Sequence, residues 1–261
     1  METESKTKLK FMPDYPKTFN IAITAIMTSL VFLATAIIQI NIPATGGYFN
    51  IGEIIIYITA ILFGPIIGGI AGGLGAALAD MISYPIFAPG TLIIKFCEGF
   101  VIGLLSLNID FKKYLKYWRY VGIGLAVLIG GALISIGMTY YSATWDITIF
   151  KLGTFHIEVI DLVWIIIGVI TSILLIIASI KFSPESVYYS TIIIIGGSVI
   201  VIGYFLYEVF IVYALLGIEL IAAAEIPLNI GQVIIGLILS VPITKIIKKS
   251  IPYLTQSSNK K

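Results

Sequence analysis

Residues 48–103 read YFNIGEIIIYITAILFGPIIGGIAGGLGAALADMISYPIFAPGTLIIKFCEGFVIG, and this stretch decides the fold. Its three apolar runs are joined by turns and contain Glu53, Asp80, Lys95 and Glu98. Ionisable side chains are costly at membrane depth, so they usually point inward, where they pair or serve a function. The stretch therefore predicts a membrane protein with a polar site between its helices.

The composition of the whole chain agrees with that interpretation. Of the 261 residues, 59% are hydrophobic and 11% are charged, and the mean hydropathy is +1.06, which excludes an ordinary soluble domain. Segments of about ten alternating residues, typical of a transmembrane barrel, do not occur. We predict an all-α, polytopic bundle with one transmembrane domain over 19–249. Cytosolic tails flank it at 1–18 and 250–261.

Eight crossings are predicted from the apolar runs, most of which are long enough to cross roughly 30 Å of hydrocarbon. They cover residues 19–40, 51–64, 66–83, 91–107, 119–142, 157–180, 187–217 and 226–247. The short second run ends at Phe63-Gly64-Pro65. Because proline disfavours helix in the residue before it, this tripeptide predicts a tight turn into the third crossing.

Basic residues set the expected orientation. With the N-terminus in the cytosol, 14 of the 16 lysines and arginines fall inside, and only Lys95 and Lys151 lie toward the other side. This positive-inside pattern requires an even number of crossings and places both termini in the cytoplasm of a multi-pass plasma-membrane protein.

An internal similarity suggests a duplicated pair of helices. IGGALISIGMTYY (129–141) parallels IGGSVIVIGYFLY (195–207), and IIIGVITSILLIIASIK (165–181) parallels VIIGLILSVPITKIIKK (233–249). Residues 119–181 are therefore interpreted as an inserted hairpin copied from 187–249, with chance similarity between Ile- and Gly-rich helices as the alternative. Trp164 of one copy aligns with Gln232 of the other, which favours a packing role for the hairpin.

The orientation places the buried polar groups toward the outer face, where they would converge on one pocket. Lys95 and Glu98 share one helical side, as do Asn229 and Gln232. Apolar pockets with a few placed polar groups suit small molecules. The predicted substrate-binding residues are Asn50, Glu53, Tyr84, Lys95, Glu98, Tyr204, Glu208, Asn229 and Gln232.

Each of these groups also has a structural alternative. Lys95 and Glu98 could form an ion pair, Glu53 and Asp80 could reach interfacial water, and the amides could join helices. Near the outer boundary, aromatic residues are typical of a membrane belt, although one or two could stack on a flat ring. These aromatics are Tyr48, Phe49, Tyr84, Phe87 and Trp145.

Small residues form two further patterns. Two rows of small residues four positions apart favour close helix packing. They are Gly68, Gly72 and Ala76, and Gly69, Gly73 and Ala77. They are not a phosphate loop, because no GxxxxGK[ST] occurs in the chain. A strip on the first helix, Ala22, Ala25 and Ser29, favours contact with another helix, either of a partner or of the chain itself.

The motifs NIGE, LFGP, GGLGAALAD and PGTLIIKFCEG in 48–103, and EIPLNIGQVIIGLILSVPITK near the C-terminus, resemble the substrate-binding S components of energy-coupling factor (ECF) vitamin transporters. The riboflavin-type branch is the most similar. The resemblance covers roughly 19–107 and 187–249 and implies a six-helix core, to which 119–181 would add a hairpin.

That resemblance implies a binding subunit that captures a vitamin or vitamin precursor from outside. Its implied partners are a transmembrane coupling subunit and two ATPase subunits. The coupler would contact Ala22, Ala25 and Ser29, where serine departs from the family's usual alanines. The ligand itself stays open among riboflavin, thiamine, pyrimidine precursors and folate. Four carboxylates against one lysine favour a cationic or donor-rich ligand.

Two other classes of function compete with this reading. A stand-alone transporter driven by protons or sodium could use Glu208 or Asp80 as a relay. A membrane enzyme is disfavoured because the chain has one histidine, His156, and one arginine, Arg119. We therefore predict no catalytic residue, metal, cofactor or nucleic-acid partner.

Overall fold

The computed structural model describes residues 15–42, 47–108, 115–149, 153–181, 184–218 and 221–251. Six of its helices are long and apolar enough to cross a membrane, which fits the predicted polytopic bundle. The elements in chain order are α1 (Lys17–Ile37), β1 (Ile38–Ile42), β2 (Gly47–Phe49), α2 (Gly52–Ser83), α3 (Ala88–Asn108), α4 (Leu115–Tyr140), β3 (Thr144–Ile149), β4 (Gly153–Glu158), α5 (Asp161–Lys181), α6 (Pro184–Tyr207), a π-helix (Glu208–Tyr213) and α7 (Ala222–Ser250).

Helix α2 is broken at Gly64 into two limbs that fold back on each other. Gly64 has φ 82° and ψ −174°, a conformation that is essentially restricted to glycine. A Cβ built on Gly68 would lie 2.7 Å from the Ala60 Cα, whereas residues eight apart in a straight helix are about 12 Å apart. The limbs 52–63 and 65–83 are therefore antiparallel, with their turn at the predicted Gly-Pro pair.

Small residues allow the second limb of α2 to pack closely against α3. A Cβ on Gly73 would lie 2.6 Å from the Leu92 carbonyl oxygen, and one on Gly69 would lie 3.0 Å from the Phe96 ring. The predicted role of the small-residue rows in helix packing is confirmed at these positions.

Helices α6 and α7 complete the core around α2 and α3. A Cβ built on Gly197 would contact the Val233 side chain. One built on Gly236 would lie 2.6 Å from the Tyr57 ring. The α4 and α5 helices pair with each other through Gly137 and Trp164 and lie beside this core. The segment interpreted as an inserted hairpin, 119–181, consists of this pair and the strands between them.

A four-stranded antiparallel sheet covers one end of the bundle, in the order β2-β1-β3-β4. Ile40 pairs with Phe49 and with Ile147, so the sheet joins the loop after α1 to the α4–α5 hairpin. The predicted helices at 19–40 and 157–180 extend too far, because α1 ends at Ile37 and α5 begins at Asp161. IQINI and TWDITI alternate apolar and polar residues, a period of two that favours strands.

The opposite end of the bundle is basic. Lys245 donates to the Ser186 hydroxyl at 3.0 Å, and Lys248 lies 2.5 Å from the Tyr189 hydroxyl. Of the lysines and arginines within the described ranges, Lys95 alone lies toward the sheet end. The predicted cytosolic location of the basic end stays a prediction, and parts of both tails, residues 1–14 and 252–261, lie outside the described residues.

Candidate functional site

A cavity of about 420 Å³, including its open mouth, lies between α2, α3, α6 and α7 at the sheet end. Its polar lining residues are buried, except for the partly buried Tyr204, so water has little access to them. The cavity is lined by Thr35, Gly47, Tyr48, Asn50, Ala76, Asp80, Phe87, Thr91, Lys95, Tyr204, Glu225, Asn229 and Gln232.

Lys95 projects into this cavity from α3 and is held by two carboxylates. Its ammonium bonds to Glu53, and the Glu98 Oε2 lies 3.7 Å away. Tyr57 donates to the Glu98 Oε1 at 2.9 Å. All three charged residues are 3% exposed or less. These contacts with Glu53 and Glu98 fix the position of the Lys95 ammonium. Removing one of the three side chains would leave a buried charge uncompensated.

Asp80 lies on the cavity wall and accepts hydrogen bonds from two hydroxyl groups. Tyr48 donates to one of its oxygens and Thr91 to the other. Because the single Thr91 proton goes to Asp80, the Tyr204 hydroxyl 2.9 Å away is the donor to Thr91. Burial, with the Asp80 charge second, raises the pKa of Tyr48, so this phenol keeps its proton.

Helix α7 contributes two amides. The Gln232 Nε2 donates to the Tyr48 carbonyl oxygen at 3.2 Å and ties β2 to the helix. The Asn229 Nδ2 has no hydrogen-bond partner within the described residues, although Asn229 is only 2% exposed. An unsatisfied buried amide is costly, which favours a bound partner in the cavity. Pro227 lies inside this helix, which begins at Ala222.

Five of the nine predicted site residues line the cavity. These are Asn50, Lys95, Tyr204, Asn229 and Gln232. The Asn50 Oδ1 also accepts a hydrogen bond from the Gly52 N–H at 2.9 Å, at the start of α2. Their part in binding a ligand remains a prediction.

The other four predicted residues do not line it. Glu53 and Glu98 contact Lys95 from behind. Tyr84 stacks on Tyr48 with ring centroids 4.9 Å apart and donates to the Asn41 Oδ1 at 2.7 Å. Glu208 begins the π-helix, is 1% exposed, and neither of its carboxylate oxygens has a hydrogen-bond partner among the described residues.

Glu225, Thr35, Thr91 and Gly47 line the cavity although the sequence analysis did not select them. For Glu225 a signal existed: positions 225, 229 and 232 fall on one face of a helix, at i, i+4 and i+7. Asp80, Tyr48 and Phe87 were recognised as outer groups but not assigned to the site, and the structure places all three on the cavity wall.

No group of three or more potential metal ligands occurs in the described part of the chain. His156 is exposed on β4, with its Nδ1 2.6 Å from the Asp146 Oδ1, and is not among the residues that line the cavity.

Comparison with known proteins gives two matches. The ECF-type riboflavin transporter S component family matches residues 16–181, more than half of the chain. The matched range includes the α4–α5 hairpin and ends before α6. An "Uncharacterized protein in gap 3'region" of Pyrococcus woesei is 43% identical over 107 residues, which is 41% of this chain and 67% of that protein.

Proposed function

This chain belongs to the family of S components of ECF-type riboflavin transporters, and we propose that it is the substrate-binding subunit of an ECF-type importer. Its substrate is a vitamin or vitamin precursor, with riboflavin or a close relative as the first candidate. The observation that carries the proposal is the buried polar cavity, in which the Asn229 Nδ2 lacks a hydrogen-bond partner within the described chain.

The proposed topology has eight crossings, with the two limbs of α2 counted separately. Both termini lie in the cytosol, and the cavity opens to the outside. The support is the separation of charge: basic residues gather at one end of the bundle, and the cavity lies at the other. Substrate would enter at the sheet end, where Tyr48 of β2 lines the cavity and contacts Asp80.

The first helix offers the surface for the coupling subunit. Ala22, Ala25 and Ser29 are exposed, so the chain's own helices do not cover them in the described structure. The Ser29 hydroxyl donates to the Ala25 carbonyl oxygen at 2.9 Å, which satisfies it within the helix and keeps the strip smooth. In the proposed complex, two ATPase subunits supply the energy and the S component moves against the coupler.

Replacing Ala25 with tryptophan should abolish uptake by cells without weakening the binding of riboflavin to the purified subunit. The bulky ring would block close helix approach, so uptake of labelled riboflavin by cells with the complete ECF complex should fall to background. The riboflavin affinity of the purified subunit should stay within about twofold of the unmodified value. The reason is that a substitution on the exposed surface usually changes the free energy of unfolding by less than about 0.5 kcal/mol, so the binding cavity should stay intact. Ile166→Trp, on exposed α5, is the matched control and should transport normally. Normal uptake by Ala25→Trp would argue against this docking surface.

A second candidate is a stand-alone transporter coupled to protons or sodium. The observation in its favour is Glu208, a buried carboxylate without hydrogen-bond partners in the described chain. Buried intramembrane acids often serve in proton relays. Uptake in cells that lack every ECF ATPase, abolished by an uncoupler and by Glu208→Gln, would favour this alternative over the proposed one.

A further inference from the structure

A second cavity lies at the basic end of the bundle, between the α4–α5 hairpin and α6. Its volume is about 680 Å³ with its open mouth included. Gly122, Ser179 and Val187 line it within two turns of the ends of α4, α5 and α6. Ile129 and Ile195 line it further along α4 and α6, at a depth of roughly 10–12 Å for seven or eight helical residues. The cavity is therefore a groove that runs from the basic end into the apolar part of the bundle.

The walls of this groove are apolar in effect, although a few hydroxyl residues belong to them. The Ser179 hydroxyl donates to the Leu175 carbonyl oxygen at 2.8 Å, and the Thr191 hydroxyl donates to the Val187 carbonyl oxygen at 2.9 Å. Both protons are thus used within their own helices. Among the described residues that line the groove there is no amide or charged side chain. A polar solute would lose its hydrogen bonds to water here without replacing them, whereas a hydrocarbon chain has none to lose.

The groove forms because the hairpin packs mainly on itself. Helix α4 meets α5 along its length, as at Gly122 with Ser179 and at Gly137 with Trp164, but it has few contacts with α6. Ile195 on the groove wall is 41% exposed, so the groove is open at its side. An empty void would deprive the lining atoms of van der Waals partners. In a bilayer, the molecules available to fill such a side opening are lipids.

Basic residues gather at the mouth of the groove. Arg119 lies one turn before the groove-lining part of α4, and Lys181 is the last residue of α5. Lys248 of α7 donates to the Tyr189 hydroxyl at 2.5 Å and lies 4.7 Å from the centre of that ring, in the second turn of α6. Tyr189 in turn donates to Glu185 at 3.0 Å, so one carboxylate stands against several cations. Basic pockets between transmembrane helices bind the headgroups of anionic lipids.

We propose that this groove binds a hydrocarbon chain of an anionic membrane lipid, whose phosphate-bearing headgroup lies among the basic helix ends. The lipid fills the space between the hairpin and α6 and so supports the packing of the hairpin against the core. The lipid site is separate from the cavity at the sheet end, since the two share no lining residue. The inference therefore does not depend on which molecule that other cavity binds.

Native mass spectrometry of the detergent-purified protein tests the choice of lipid. The protein is incubated with equal amounts of phosphatidylglycerol and phosphatidylcholine that carry the same chains. Phosphatidylglycerol should be retained with a preference of roughly tenfold, as expected when basic residues attract an anionic headgroup. Equal retention of the two lipids, a preference for phosphatidylcholine, or retention of neither overturns the inference. Riboflavin binding by the same preparation reports separately on the proposed function.

A matched pair of variants tests the location. Ser190→Phe places a ring in the groove, because Ser190 is one of its lining residues, and should lower the retention of phosphatidylglycerol at least tenfold. Ser198→Phe makes the same change at an exposed position of α6 outside the groove and should retain the lipid normally. Equal retention by the two variants overturns the assignment to this groove.

A crosslinking measurement on the unmodified protein covers the case in which Ser190→Phe does not fold. Phosphatidylglycerol with a photoreactive group in its chain is added at a stoichiometric amount in detergent and then irradiated. The crosslinks should fall on α4 and α6 near Ile129 and Ile195. Crosslinks spread over all the exposed helices, or confined to another face of the bundle, overturn the inference.

Discussion

Replacing Lys95 with methionine should destabilise the protein by about 3–5 kcal/mol, the usual cost of removing one partner from a buried ion pair. The expected loss is large because Glu53 and Glu98 are both fully buried and share this single ammonium. Ligand affinity should fall as well, since the cavity wall would have to rearrange around two uncompensated carboxylates. Thermal unfolding of the detergent-solubilised protein measures the first effect and equilibrium binding the second.

Two further variants show whether charge is the cause. Lys249→Met removes a lysine from the exposed end of α7 and should change the unfolding temperature little. Adding Glu53→Gln to Lys95→Met removes one of the two uncompensated buried charges and should recover part of the lost stability. If Lys95→Met unfolds at the temperature of the unmodified protein, the buried charge set does not stabilise the fold as described here.

A disulfide between β1 and β3 should lock the cavity. Ile40 and Ile147 are register partners, and paired residues of antiparallel strands have the Cα separation that a disulfide needs. With both changed to cysteine and the native Cys97 replaced by alanine, the oxidised protein should neither take up nor release ligand. The reason is that β1 could no longer separate from the α4–α5 hairpin. Reduction should restore exchange, as followed by filtration of labelled vitamin.

A second crosslink supplies the control for that experiment. Ile147 also pairs with Phe155 of β4, so cysteines at those two positions would stiffen the sheet without joining it to β1. Exchange should then proceed at the rate of the unmodified protein. Equal exchange rates in the oxidised and reduced forms of the β1–β3 variant would show that the cavity does not open by separation of these two strands.

The sequence predicts the helical part of the fold well, because hydropathy and turn chemistry act locally. Gly64-Pro65 marks the turn within α2 correctly, since only glycine suits that backbone conformation. The strands β1 and β3 were missed because their alternating pattern is short and lies beside long apolar runs. The eight predicted crossings stay a prediction, because six helices within the described residues meet the criteria of length and hydropathy.

For a similar reason, the sequence predicts only some of the residues that line the cavity, and their role in binding stays a prediction. Spacing on one helix identifies groups that share a face, as with Asn229 and Gln232, but it does not show which face meets the cavity. Glu98 therefore looked like a ligand contact, whereas it supports Lys95 from behind. Glu208 was selected because it follows a long apolar run and shares a helical side with Tyr204; it is buried, but it lies off the cavity wall.

The most direct test of the account is a titration of the purified protein with riboflavin, followed by quenching of flavin fluorescence, in the unmodified chain, Asn229→Leu and Asn20→Leu. Asn229 lies on the cavity wall, and Asn20 lies near the opposite end of the bundle. We expect saturable binding that Asn229→Leu weakens roughly 10- to 100-fold, the cost of about 1–3 kcal/mol for a lost buried hydrogen bond. Asn20→Leu should bind normally. No saturable binding to the unmodified protein, or equal affinities in all three, would contradict a ligand site in this cavity.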